Sequence, residues 1–166
     1  MPDFDFRYLP LSGLAIGLLI AAFTDIRRRQ IDNWLNAAIA FTAPLYWWAI
    51  GLSLWPGVAW QIGMAAATLV VLAILFALRA MGGGDVKLLT ALALWIEPTW
   101  FIRLLIIMAL IGGVLTVALA AWHVTRRRKD KLAIPYGVAI SAAGLLVLAA
   151  QFLPAFASTA SAGVAG

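Results

Sequence analysis

No cysteine occurs in the 166 residues, which excludes disulfides, thiolate metal sites, cysteine nucleophiles and iron–sulfur ligation together. Histidine occurs once, at His123, with no companion ligand cluster, so it reads as an interfacial residue. No metal and no cofactor is expected. Charge is scarce as well: only 11% of residues are Asp, Glu, Lys or Arg, against 64% hydrophobic. Soluble domains carry about 25% charged residues, and nothing here is polar enough to form one. The N-terminus also lacks a basic n-region. It opens with Asp3, Asp5 and Arg7, so the first apolar run reads as a retained helix and not as a cleaved signal.

What is present is apolar sequence sufficient for a polytopic membrane protein. A hydrocarbon core of roughly 30 Å takes about 20 residues per helix, and six segments stand between charges and turn residues. They run over about Tyr8 to Thr24, Trp34 to Leu54, Val58 to Leu78, Val86 to Ile96, Trp100 to His123 and Ile134 to Phe152. The expected architecture is all-α, a single transmembrane domain over residues 1–153, followed by a mobile Ala/Ser/Gly tail over 154–166. The formal charge of +5 does not imply nucleic acid, because position carries the information in a membrane protein. Ten of the twelve basic residues fall in alternate loops: Arg27 to Arg29, then Arg79 and Lys87, then Arg126, Arg127, Arg128, Lys129 and Lys131. The positive-inside rule puts these loops in the cytoplasm and both termini outside. Six tryptophans, Trp47, Trp48, Trp55, Trp60, Trp95 and Trp100, then gather toward the outer side, as an aromatic belt or as lipid-facing filler. The fourth segment is too short to cross as an ordinary helix, at about 1.5 Å per residue. A crossing that keeps the charge pattern requires its glycine-rich entry to be sunk in protein, or its end to extend past Glu97.

This topology brings Asp25, at the end of the first helix, and Asp85, at the start of the fourth, to one face of the membrane. Two carboxyls that converge share a proton, one serving as base and the other as acid. Asp85 follows Gly82, Gly83 and Gly84, which leave the backbone free for positive φ and for close approach of a substrate strand. It also stands where a helix N-cap belongs. On the first helix, Gly13, Gly17 and Ala21 form a small-residue ridge leading to Asp25. The competing reading is plain: charged residues at helix ends are commonly interfacial caps or solvated pairs.

The run Gly82-Gly83-Gly84-Asp85, followed by Val86-Lys87-Leu88-Leu89, resembles the Gly-x-Gly-Asp signature of the type IV prepilin peptidases. The stretch from Asp25 to Ile31-Asp32-Asn33 is similar to the first aspartate region of that family, with Asp32 where proline is usual. Ile134-Pro135-Tyr136-Gly137 is similar to its Pro-aromatic-Gly motif. The resemblance implies an aspartic-type endopeptidase with Asp25 and Asp85 as the catalytic pair. Gly82, Gly83, Gly84, Lys87, Pro135, Tyr136 and Gly137 are then expected to bind substrate or shape the site. It also implies a multi-pass protein of the bacterial inner membrane, acting at the cytoplasmic face. The substrate would be a prepilin cut after the glycine that ends a basic leader, with membrane lipid and the pilus assembly machinery as further partners. The short connection between Asp25 and Trp34 resembles the branch serving tight-adherence (Flp) pili. Larger relatives carry a cysteine-rich, zinc-binding insertion there and methylate the new N-terminus; this chain lacks the insertion, and methyl transfer is not assigned. Because its own loops are basic, a basic leader must be met by local acids or by geometry.

Other features are read more plainly. Gly82 to Lys87 lacks the spacing of a nucleotide loop, and no nucleic-acid partner is expected. Glu97 and Asp130 read as surface charges. Lys87 reads as a headgroup-seeking side chain or as a countercharge to Asp85. The cluster from Arg126 to Lys131 is a topology determinant with an anionic-lipid contact. Two alternatives stand beside the peptidase: a small proton- or cation-coupled transporter using the same aspartates, and a non-catalytic pilus assembly factor.

Overall fold

A computed structural model describes residues 6–126 and 135–164, with side chains described up to 152. Arg127, Arg128, Lys129, Asp130, Lys131 and Ile134, like the N-terminal Asp3 and Asp5, lie outside the described residues. The described chain is all-α. Its helices are α1 (Tyr8–Arg28), α2 (Asn33–Ala49), α3 (Ala59–Ala77), α4 (Gly83–Ala93), α5 (Pro98–Thr125) and α6 (Tyr136–Val164). Three stretches are long and apolar enough to cross a bilayer, Tyr8–Arg28, Leu54–Ala77 and Pro98–Thr125, and the apolar Tyr136–Phe152 is shorter. The chain is a membrane protein.

Local chemistry explains the helix ends. Arg27 and Arg28 occupy the last turn of α1, where cations complement the helix dipole. Arg29 then takes a left-handed conformation, φ 55°, and its N–H bonds back to the Asp25 carbonyl at 2.9 Å. That cap ends α1. Gly51, at φ +65°, turns the chain after α2, so the second helix stops short of the sequence boundary at Leu54. Pro98 opens α5, where its missing N–H costs no helical bond. The helical backbone of α6 continues through the Ala-, Ser- and Gly-rich stretch after Pro154.

Helix α4 is the core of the bundle. It packs against α2, α3 and α6, while α1 lies on α2 and α6, and α5 on α6. Leu88, Leu89 and Leu92 of α4 are fully buried. In contrast, α3 and α5 present Val70, Val71, Ile74, Leu110, Val114 and Val117 outward, a surface suited to lipid. Gly17 of α1 meets the Ile39 side chain of α2, and Gly144 of α6 meets Leu18 of α1. The small residues do permit close packing, although Gly13 has nothing within 4 Å of its added Cβ.

The fourth segment does not extend as a helix past Glu97; its body and the 95–96 junction are buried, while Gly82 at its entry is exposed. Glu97 occupies the N-cap position of α5, and α4 ends at Ala93. The last carbonyls of a helix lack intrahelical donors, and here neighbouring side chains supply them. Trp47 Nε1 donates to the Leu94 carbonyl at 2.8 Å, and Gln61 Nε2 donates to the Ile96 carbonyl at 3.0 Å and to Leu94 at 3.3 Å. Trp95 Nε1 donates to the Ile39 carbonyl at 2.8 Å and its ring stacks on Tyr46 at 5.4 Å. Trp47 and Trp95 are therefore buried anchors of the core, not members of an aromatic belt or lipid-facing filler. Trp48, Trp55 and Trp60 are exposed.

Candidate active site

Three chain segments meet at the opposite end of α4. The first is the last turn of α1, which carries Asp25. A residue there inherits the direction of the helix, and Asp25 points inward, 5% exposed. The second is the N-terminus of α6. Its Val138 N–H donates to Asp25 Oδ2 at 3.2 Å, so the carboxyl takes up one of the free amides at the end of α6. Gly137 makes this approach possible: a Cβ there would lie 2.8 Å from Asp25 Oδ2 and 2.8 Å from Ile31 Cδ1. Pro135 precedes the helix, and the Tyr136 ring rests over Gly112 of α5, 3.5 Å from where a Cβ would sit. The Pro-Tyr-Gly run thus seats α6 on Asp25.

The third segment is the glycine turn entering α4. Gly82 is the extended N-cap, φ −73° and ψ 145°, which makes Asp85 the third helical residue and corrects the expectation that Asp85 itself is the cap. From that position an acidic side chain reaches back to the cap residue, and a Cβ on Gly82 would lie 2.9 Å from Asp85 Oδ2. None of the three glycines uses positive φ. Their requirement is space, and the protein's own atoms occupy it. A Cβ on Gly83 would come within 3.2 Å of the Phe76 ring, and one on Gly84 within 3.3 Å of Ile31 Cβ.

Asp25 and Asp85 face one cavity of about 540 Å³, whose wall also includes Asp32, Gly82 to Gly84 and Tyr136. Asp85 stands in the first turn of α4, outside the three long apolar helices. Burial pushes its carboxyl up to about 6, the charge of Asp25 pushes the same way, and a backbone hydrogen bond from Gly82 opposes both. Lys87 turns aside to Asn33, its Nζ donating to Oδ1 at 2.7 Å.

Of the residues singled out from sequence, the structure brings together Asp25, Asp85, the three glycines, Tyr136 and Gly137. His123 lies far along α5 in its last turn, and Glu97 lies beside a separate, mainly apolar cavity with Trp47, Gln61 and Trp95. Among the described residues, no three His, Asp or Glu side chains form a group able to hold a metal. Asn36 was not anticipated: it is 4% exposed and its Nδ2 lies 3.4 Å from the Gly84 carbonyl. The signal for it was a polar residue inside an apolar run, which in a membrane protein marks an internal tether.

No curated protein and no solved structure matches the chain. Residues 13–117 match the type IV leader peptidase family, a stretch that includes both aspartates, the glycine turn and the connection between α1 and α2. With most of its length matched, this membrane chain belongs to the type IV leader peptidase family.

Proposed function

We propose that the chain is an aspartic-type endopeptidase in which Asp25 and Asp85 act as one acid–base pair on the leader of a prepilin. Family membership supports a peptidase acting on prepilins. The observation that carries the aspartic assignment is convergence: two carboxyls from distant segments face one cavity at the end of α4. Asp85 is suited to hold the shared proton, because burial and the charge of Asp25 both favour its neutral form. Asp25, with Oδ2 accepting the Val138 amide, is suited to be the base. It takes a proton from water, whose oxygen adds to the scissile carbonyl carbon, while protonated Asp85 hydrogen-bonds the carbonyl oxygen. Collapse of the tetrahedral intermediate breaks the C–N bond, and the amine leaves with a proton from the pair.

In this reading Gly82, Gly83, Gly84, Pro135, Tyr136 and Gly137 shape the site by letting three segments close on it, and Lys87 supports the α4 entry. The substrate is an Flp-type prepilin, cut after its leader glycine at the cytoplasmic face of the inner membrane and passed to the pilus assembly machinery. Asp32 adds a third carboxylate to a cavity wall that also carries Arg29, and it offers a basic leader a local acid in an otherwise basic protein. Residues 1–153 form the peptidase domain, and no methyl transfer is assigned.

The test is cleavage of a co-expressed Flp-type prepilin, read by mass spectrometry at matched membrane levels. Wild type is expected to cut after the leader glycine, and Asp25→Asn and Asp85→Asn each to lose at least about 100-fold, the scale of a general acid–base contribution. Wild-type rates in either variant would end the aspartic assignment. Proton flux in liposomes without peptide cleavage would favour the transporter.

A further inference from the structure

We propose that Asn33 and Asn36 of α2 form a two-point clamp on the first turn of α4 that positions Asp85 against Asp25. The inference rests on the peptidase reading above. Asn33 and Asn36 are three residues apart, hence on one face of α2. Their partners on α4, Lys87 and Gly84, are also three apart. Asn33 Oδ1 accepts from Lys87 Nζ at 2.7 Å, and Asn36 Nδ2 reaches the Gly84 carbonyl at 3.4 Å. Asp85 lies between these two contacts in the chain.

The other side of the clamp leads directly to Asp25. Helix α2 begins immediately after the connection from α1, whose left-handed cap at Arg29 bonds to the Asp25 carbonyl. Ile31 in that connection packs on Gly84 and also against Gly137. The carriers of the two aspartates are otherwise joined in sequence only through the long route of α2 and α3. A clamp at the near end makes their separation a local property.

Packing alone does not account for Asn36. Its Oδ1 is buried without a hydrogen-bond partner among the described residues, and an unpaired buried amide oxygen is unfavourable where a leucine of similar size would fit. The amide gives up that advantage for a contact with the carbonyl just before Asp85. Asn36 is buried, whereas Asn33 is exposed and also lines the cavity wall; the role assigned to both is to position Asp85 through the first turn of α4.

The experiment measures kcat, KM and the thermal midpoint for full-length protein, with Asn36→Leu, Asn33→Leu, Asn33→Asp, and the Asp25→Asn and Asp85→Asn controls. Asn36→Leu is expected to keep or raise the thermal midpoint while kcat falls about 10- to 100-fold, the penalty of small misplacement at a reacting centre, with KM little changed. Asn33→Leu is expected to behave alike, and Asn33→Asp to retain activity because a carboxylate still accepts from Lys87. Wild-type kcat in both leucine variants, with the aspartate controls inactive, would overturn the clamp and leave the peptidase reading intact. A kcat loss that merely follows a fall in thermal midpoint would also overturn it. Failure of wild type to cut prepilin would overturn the peptidase reading and the clamp together.

Discussion

The two ends of α4 face the same difficulty and resolve it in opposite ways. A helix of eleven residues leaves its last carbonyls inside the protein and its first amides beside a cavity, and both sets lack intrahelical partners. At the far end the solution is closure: Trp47 and Gln61 supply side-chain donors to Leu94 and Ile96, and Trp95 and Tyr46 stack over the junction. At the near end, glycines replace side chains, the carboxyl of Asp85 turns back toward its own cap, and a cavity is left. Closure stabilises; openness with a carboxyl pair leaves room for chemistry. The same helix therefore separates the end that holds the molecule together from the end proposed to act on a substrate.

That contrast is sharpest at Gly137. Alanine there places a Cβ on Asp25 Oδ2 and Ile31 Cδ1, so Gly137→Ala is expected to cut cleavage by about 100-fold, with helix content unchanged by circular dichroism. At the far end the expected signature is reversed. Gln61→Leu removes the donor to the Ile96 carbonyl and is expected to destabilise the fold by about 1–3 kcal/mol, seen in thermal unfolding in detergent, while cleavage by the folded fraction persists. If Gln61→Leu abolished cleavage without destabilising the protein, the division between the two ends would be lost.

The pH dependence tests the open end alone. Catalysis by a pair sharing one proton requires one neutral and one ionised carboxyl, and Asp85 has a pKa raised to about 6. Below that value the proton is held; above it the proton is progressively lost. Cleavage is therefore expected to decline toward high pH by about tenfold per unit beyond the alkaline limb, and to decline again at low pH when the base is neutralised. An increase through pH 6 to 8 would contradict Asp85 as the proton holder. The smallest effect belongs to neither end. A Cβ on Gly113 of α5 meets nothing within 4 Å, so Gly113→Ala is expected to stabilise by about 0.5–1 kcal/mol and leave cleavage alone.

The sequence pattern made one part of this molecule readable and hid another. Apolar runs bounded by Arg, Lys, Gly and Pro marked all six helices, because lipid-facing and core-facing surfaces are both apolar and the charges that end them are few. Asp25 and Asp85 shared a face and one followed a glycine run, but charges at helix ends are commonly caps, and it was the resemblance of their surrounding motifs that singled them out. Their convergence followed from loop charges only as a shared face. The contact of Asp25 with the end of α6 was not readable, since its partner is the backbone of Val138. For the same reason the anchoring roles of Trp47, Trp95 and Gln61 were invisible: each donates to a carbonyl, which no side-chain pattern announces. The glycines were recognised for positive φ and for clearance of a substrate strand, whereas the structure uses no positive φ there and fills the clearance with Asp85, Phe76 and Ile31. Asn36 and Gln61 shared an available signal, a polar residue within an apolar stretch.

The most direct test of the central claim compares Asp25→Asn, Asp85→Asn and the double variant in one cleavage assay with purified protein. If the two carboxyls work as one unit, either single change removes nearly all activity and the double variant is no worse than the singles. Losses that multiply, or normal cleavage in either single variant, would show that Asp25 and Asp85 do not form a catalytic pair.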